Sequence, residues 1–224
     1  MTRSLPRAVV AEFLGSLLLA ALVIGSGIAA QRLSPTDTGL QLLENAGATG
    51  VGLYALILVF GPVSGAHFNP VVSFVDAVLG GLSWRHFLVY VPVQVVGCVS
   101  GAVVANVLFD AAPVSIATTS RATWAHGISE VVATLGLLLV IFSLSRTGRA
   151  EKAAAAVGAY IAAAYWFTSS TSFANPAITV GRAFSDSFAG IAPSSVPSFV
   201  LAQVVAAVIA LPLLSFLYPH RSNP

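Results

Sequence analysis

Charge is what this sequence has least of. Only 8% of its 224 residues are charged, where a soluble domain carries about 25%. That deficit excludes an ordinary soluble fold, and the formal net charge of +2 with a pI near 9.0 gives no reason to invoke nucleic acid as a partner. Cysteine is nearly absent too. Cys98 stands alone inside an apolar run, so the chain has no internal disulfide, and a zinc site is not expected. There is no Ser–His, paired-Asp or metal-ligand set at workable spacing. No enzyme activity and no cofactor are expected.

What is present is apolar. Hydrophobic residues make up 57% of the chain and the mean hydropathy is +0.90, the composition of an integral membrane protein. Six runs read as membrane spans: Ala8–Ala30, Leu42–Val63, Phe87–Phe109, Gly127–Leu144, Ala153–Thr168 and Pro197–Tyr218. None has the sustained polar face of a soluble amphipathic helix. Gly and Ala recur in them (Gly47, Gly50 and Gly52; Gly97, Gly101 and Ala105), which suits close helix approach in lipid. The remaining length has no room for a separate soluble domain. The first run follows Arg3 and Arg7 but is longer than a signal-peptide core and contains Glu12, so a retained span is expected.

Lysine and arginine set the expected orientation. With the N-terminus cytoplasmic, Arg3, Arg7, Arg85, Arg146, Arg149, Lys152 and Arg221 fall inside, against Arg32, Arg121 and Arg182 outside. Both termini are therefore expected in the cytoplasm.

One stretch occurs twice: Ser64-Gly-Ala-His-Phe-Asn-Pro-Val-Val-Ser73 and Ser172-Phe-Ala-Asn-Pro-Ala-Ile-Thr179. Asn is a favoured helix N-cap, and Pro suits the first helical position. Each copy predicts a helix starting after Asn69 or Asn175 and running about ten residues, or about 15 Å. That is half of a ~30 Å hydrocarbon layer. The order Glu, Asn-Pro, Gln also repeats, as Glu12, Asn69 and Gln94, then Glu130, Asn175 and Gln203. Three spans per half give the two halves opposite orientations, an inverted repeat with half-helices meeting at the midplane. The expected fold is a single all-α membrane domain over 1–224, with repeat one at about 8–109 and repeat two at about 127–218.

With these residues in place, the chain resembles the aquaporin (major intrinsic protein) family over nearly its whole length. The resemblance rests on Ser64-Gly-Ala-His-Phe-Asn-Pro, on Asn175-Pro176-Ala177, and on the Glu12 and Glu130 pair. It implies a right-handed bundle of six spans and two re-entrant half-helices, one pore per subunit, a homotetramer and a multi-pass plasma (inner) membrane location.

Helix N-termini carry partial positive charge, so two of them facing across a pore repel cations. Each Asn oxygen caps its own helix, and its amide NH2 is expected to donate into the pore. The central constriction is assigned to Asn69, Pro70, Val71, Asn175, Pro176 and Ala177. The expected activity is passive passage of small neutral polar solutes, with membrane lipid as the surroundings. Glu12 and Glu130 read either as proton relays or as acceptors for the non-helical chain; the resemblance implies the second, a scaffold role. His67 is expected in the cytoplasmic pore lining. An ion-coupled transporter is the rival class, because such proteins also use inverted repeats.

The flanks depart from the family pattern. Val71 stands where Ala is usual, and Ile178 stands where the outer filter normally has Arg. Spacing from the two Asn residues assigns the other filter positions to Thr49, Ala163 and Ser172, an aperture expected to be wide, weakly polar and uncharged. Arg182 lies one turn beyond Ile178. It is read equally as an outer-vestibule charge and as a partner of Asp186 at i+4; Asp76 holds the equivalent place after Asn69. Asn-Pro-Ala-Ile with a displaced Arg resembles a bacterial arsenic-associated subset. That resemblance implies arsenous acid, methylated arsenicals and glycerol as solutes beside water, with a water-selective pore as the alternative.

Overall fold

Two sets of three long helices, each interrupted by a short one, make up the chain. The structure is a computed structural model, and it describes residues 4–219. In order come α1 (Leu5–Leu33), α2 (Thr38–Ser64), α3 (Pro70–Val78) and α4 (Trp84–Leu108), then α5 (Trp124–Arg146), α6 (Ala153–Phe167), α7 (Pro176–Gly181) and α8 (Val196–Leu217). Arg3 and Arg221, used above for orientation, lie outside the described residues.

Helix starts follow local chemistry. Asp37, Ser83 and Thr123 accept backbone N–H bonds at the starts of α2, α4 and α5. Asn69 and Asn175 do the same for α3 and α7, with Pro70 and Pro176 at the first helical position. The half-helices are shorter than expected. α3 has nine residues and α7 has six before a 3-10 turn, Arg182–Phe184, tightens it.

Among the described residues, five helices are long and apolar enough to cross a membrane. α6 is not among them: its 15 residues rise about 22 Å, short of a ~30 Å layer. A 3-10 turn, Ala150–Lys152, leads into it.

Packing repeats between the halves. α1 lies against α2 and α4 as α5 lies against α6 and α8, and α2 meets α6 across the centre. Glycine sets the closest approaches. A Cβ on Gly97 would stand 2.7 Å from the Phe13 carbonyl, and one on Gly50 would stand 2.9 Å from the Gly158 carbonyl. Gly97 and Gly101 thus pack within the subunit against α1. Cys98 is a buried packing residue beside Ser16. α3 is held by Val71, Val72 and Val75 against Leu138 and Phe142 of α5 and Ala207, Ala210 and Leu214 of α8.

Candidate functional site: a through-bundle cavity at two Asn-Pro turns

Each half-helix is reached by a segment that leaves normal backbone space. Ala66 and Phe68 have φ of 51° and 49°, and Ser172 and Ala174 have 48° and 49°. These are left-handed conformations that side chains with a Cβ resist, and they fall at matching positions before Asn69 and Asn175. A carboxylate over-determines each one. Glu12 accepts from Ser64 Oγ (2.6 Å), His67 N (3.0 Å), Phe68 N (2.7 Å) and Gln94 Nε2 (2.7 Å). Glu130 accepts from Ser170 Oγ (2.6 Å), Phe173 N (2.9 Å), Ala174 N (2.8 Å) and Gln203 Nε2 (2.7 Å). Both carboxylates are fully buried with every oxygen engaged. This arrangement supplies the non-helical backbone with partners where no water is available. It leaves no carboxylate oxygen free to bind a coupling ion, which speaks against a secondary transporter.

The two turns are clasped to each other. Asn69 Nδ2 donates to the Ala174 carbonyl at 2.8 Å, and Asn175 Nδ2 donates to the Phe68 carbonyl at 2.7 Å. Their Oδ1 atoms accept from Val71 N at 3.0 Å, and from Ala177 N at 2.9 Å and Ile178 N at 3.3 Å. The expectation of two free amide donors per Asn is corrected: one N–H ties the opposite half, and one remains for a solute.

A cavity of about 690 Å³ runs past both turns. Asn69, Asn175, His67, Thr49, Ser172, Ile178 and Arg182 line it. Pro70, Val71, Pro176 and Ala177 do not. Helix phase explains Val71: at 100° per residue, Val72 returns far enough to reach the cavity as well as the α3–α5–α8 core, while Val71 reaches only that core.

Ala163 is also corrected. It is exposed on the outer face of α6, and Ile161 and Tyr165 line the cavity instead. Ile161 and Tyr165 are four apart and share a face, whereas a two-residue offset turns a side chain about 200° away. Tyr165 places its hydroxyl 3.3 Å from Thr49 Oγ1. Spacing from Asn175 missed this residue because it counted through the non-helical 168–175 segment.

Arg182 is not a solvent-exposed vestibule charge. It is 2% exposed. Its Nε donates to the Ala189 carbonyl, and its guanidinium carbon sits 3.4 Å from the centroid of Phe173. Among the described residues Arg182 and Asp186 form no ion pair, and Asp186 Oδ1 instead accepts from Thr118 N and Oγ1 at 2.9 and 3.1 Å. With Tyr165 and Arg182 in the wall, this end of the cavity is neither small-sided nor uncharged. At the opposite end His67 Nε2 lies 3.4 Å from Asp76 Oδ2, and His67 Nδ1 lies 3.0 Å from Ser73 Oγ. Among the described residues no group of His, Cys, Asp and Glu is placed to hold a metal ion.

Paired half-helices clasped head to head, inside a lipid-compatible bundle with a cavity past both, define a transmembrane channel of the aquaporin-like class. The chain belongs to the major intrinsic protein family. The family's sequence model, described as "Major intrinsic protein", matches residues 1–174, a stretch that includes the first Asn-Pro turn and stops just before the second. Aquaglyceroporin AqpS of Rhizobium meliloti (strain 1021) is 46% identical over 213 residues, covering 95% of this chain and 91% of that protein. Aquaporin NIP6-1 of Arabidopsis thaliana is 31% identical over 161 residues, or 70% of this chain and 52% of that protein. In fold, the X-ray structure of the aquaglyceroporin from Plasmodium falciparum matches with a TM-score of 0.72 over 96% of both chains, at 21% identity. The protein is a membrane channel and not an enzyme.

Proposed function

We propose that the chain is a passive channel for small uncharged polyol-like solutes, with glycerol and arsenous acid as test members of the class and water passing beside them. One observation carries this reading: the cavity wall is amphipathic by construction. Long helices supply its apolar part, with Leu19 and Val23 from α1, Leu53 and Ile57 from α2, Leu137 and Ile141 from α5, and Val157 and Ile161 from α6. The re-entrant segments supply hydrogen-bonding groups at Asn69, Asn175 and Ser172. A polyol has a carbon skeleton for the first and hydroxyls for the second, and Ile178 leaves the usual position of the filter guanidinium apolar. AqpS, the relative at 46% identity, carries the description aquaglyceroporin. The site assignment is Asn69 and Asn175 at the centre, Thr49, Tyr165, Ser172 and Ile178 at the outer filter with Arg182 beside it, and Glu12 and Glu130 as supports.

The channel sits in the plasma (inner) membrane with both termini cytoplasmic. Arg7, Arg85, Arg146, Arg149 and Lys152 support that orientation among the described residues, against Arg32, Arg121 and Arg182. It assembles as a homotetramer with one pore per subunit, in keeping with the family. A second reading, a water-selective pore, is favoured by Tyr165 and Arg182, which return an aromatic ring and a guanidinium to the wall.

Stopped-flow measurements on proteoliposomes, with water, glycerol and arsenous acid compared, decide between them. The polyol reading expects wild type to pass all three and Ile178→Arg to lose glycerol and arsenous acid selectively. Wild type passing water alone would overturn it.

A further inference from the structure

We infer that the Arg182 end of the pore carries a binding site for a small planar monoanion with two coplanar oxygens, a carboxylate being the simplest example. The evidence is an excess of positive charge, two guanidinium groups against the one carboxylate of Glu130, that the protein neutralises only in part. Arg182 is 2% exposed and lines the cavity, yet its only hydrogen bond among the described residues runs from Nε to Ala189. Its two terminal nitrogens have no acceptor among the described residues. Arg121 approaches the same ring, with its guanidinium carbon 5.4 Å from the Phe173 centroid, and it too bonds only backbone carbonyls, Gly190 at 3.0 Å and Phe188 at 3.3 Å.

Among the described residues no carboxylate forms an ion pair with either guanidinium, and Glu130 is the one carboxylate whose field reaches both, a single negative charge for two cations. The single ion pair among the described residues is His67–Asp76, at the other end of the cavity. Asp186 turns Oδ1 to Thr118, and both oxygens of Glu130 accept from four neutral donors. Two guanidinium groups on one aromatic ring, one buried and one half-buried, sharing the single distant carboxylate of Glu130, are costly to place there. Part of that cost is offset by the ring face and part by whatever occupies the lumen.

The shape of the vacant donors selects the occupant. A guanidinium fork presents parallel N–H groups that match two coplanar oxygens. Ser172, also in the wall, has a buried hydroxyl without a partner. Ile178 and the Phe173 ring leave an apolar boundary that suits a short tail and disfavours a bulky one. Past this point the lumen offers no second guanidinium fork, only the Asn69 and Asn175 turns, an apolar wall and, farther on, Asp76. Held by the fork, the anion obstructs neutral solutes at the Arg182 end of the cavity. The obstruction rests on the conduction reading above, whereas the binding does not.

The two claims separate experimentally. Line broadening of carbon-13 formate by the detergent-solubilised channel reads binding without any flux. Wild type is expected to broaden the signal saturably, acetate to compete, and chloride at equal ionic strength to leave it unchanged. Arg182→Gln is expected to weaken binding at least tenfold, and Arg182→Lys, which keeps the charge without the fork, to weaken it less. No broadening by wild type, equal broadening by Arg182→Gln, or equal competition by chloride would each overturn the site. Should Arg182→Gln fail to purify as a monodisperse protein, the chloride comparison and Arg182→Lys decide. In proteoliposomes, formate added on the Arg182 side should slow glycerol flux at least twofold at saturation. Formate binding with no glycerol flux at all would sink the conduction reading and leave the anion site standing.

Discussion

Arg182 lays its guanidinium carbon 3.4 Å from the centre of the Phe173 ring, and the same two repeat positions meet at the other end of the pore as Asp76 and His67, 3.4 Å apart. Each half therefore ties a charged residue seven positions after its Asn to a ring two positions before it. The fold repeats the contact and inverts the charge. Phe173 keeps the Arg182 side chain against the wall, so Phe173→Leu should free it into the lumen. A buried cation–π contact is worth about 0.5–2 kcal/mol, or roughly a 2- to 30-fold change in rate. Glycerol permeability is expected to fall within that range. Combining Phe173→Leu with Arg182→Gln should recover it, and an undiminished fall in the double variant would show that the loss does not run through the guanidinium.

Much of this was legible in the sequence. The Glu12, Asn69, Gln94 and Glu130, Asn175, Gln203 order located the caps, the supports and the inverted halves, because capping and Pro at N1 are local effects. What was not legible depended on three-dimensional phase. Ala163 was misassigned because counting back from Asn175 cannot measure the turn made by residues 168–175, and two residues of error rotate a helix position to the opposite face. The Asn69–Ala174 and Asn175–Phe68 bonds join residues 105 and 107 apart. No local signal announces them. The Phe173 partner of Arg182 does leave a trace in the sequence, since His67 stands at the same distance before its own Asn.

The phase of α6 gives a direct test. Ala163 is exposed on the outside of the bundle, while Tyr165 lines the cavity with its hydroxyl on Thr49. Ala163→Trp should leave the glycerol-to-water permeability ratio of proteoliposomes unchanged within about twofold, since surface substitutions of this kind usually shift energies by less than ~0.5 kcal/mol. Tyr165→Ala should raise the ratio. A shift with Ala163→Trp and none with Tyr165→Ala would reverse the assignment.

Glu12 and Glu130 should behave as structural equivalents. Replacing Glu130 by Gln exchanges an accepting oxygen for an NH2 that faces donors, stranding an N–H of Phe173 or Ala174 or the Gln203 amide. Each stranded buried donor costs about 1–3 kcal/mol. Thermal unfolding in detergent should shift down by comparable amounts for Glu12→Gln and Glu130→Gln. Solute flux in any surviving fraction should be indifferent to an imposed pH gradient. A gradient-dependent flux in wild type that Glu130→Gln abolishes would make the carboxylate a proton relay after all.

The Asn clasp makes the sharpest prediction about charge selection. Asn175→Asp is nearly isosteric and keeps the oxygen that caps α7 at Ala177 and Ile178. It cannot donate to the Phe68 carbonyl, so an oxygen–oxygen contact replaces a 2.7 Å hydrogen bond. Losing that bond and exposing the carbonyl costs about 1–3 kcal/mol, which should appear as a lower unfolding temperature. The added negative charge sits where two helix N-termini supply the positive potential that turns cations away, and it cancels part of that barrier. Proton or sodium leak, measured with a pH-sensitive dye or by current recording, should therefore rise in Asn175→Asp. Asn175→Ala, which loses both the clasp and the α7 cap without gaining charge, should lose more stability but leak much less. Equal leak in both would place cation exclusion in the clasp's geometry and not in the field of the helix ends.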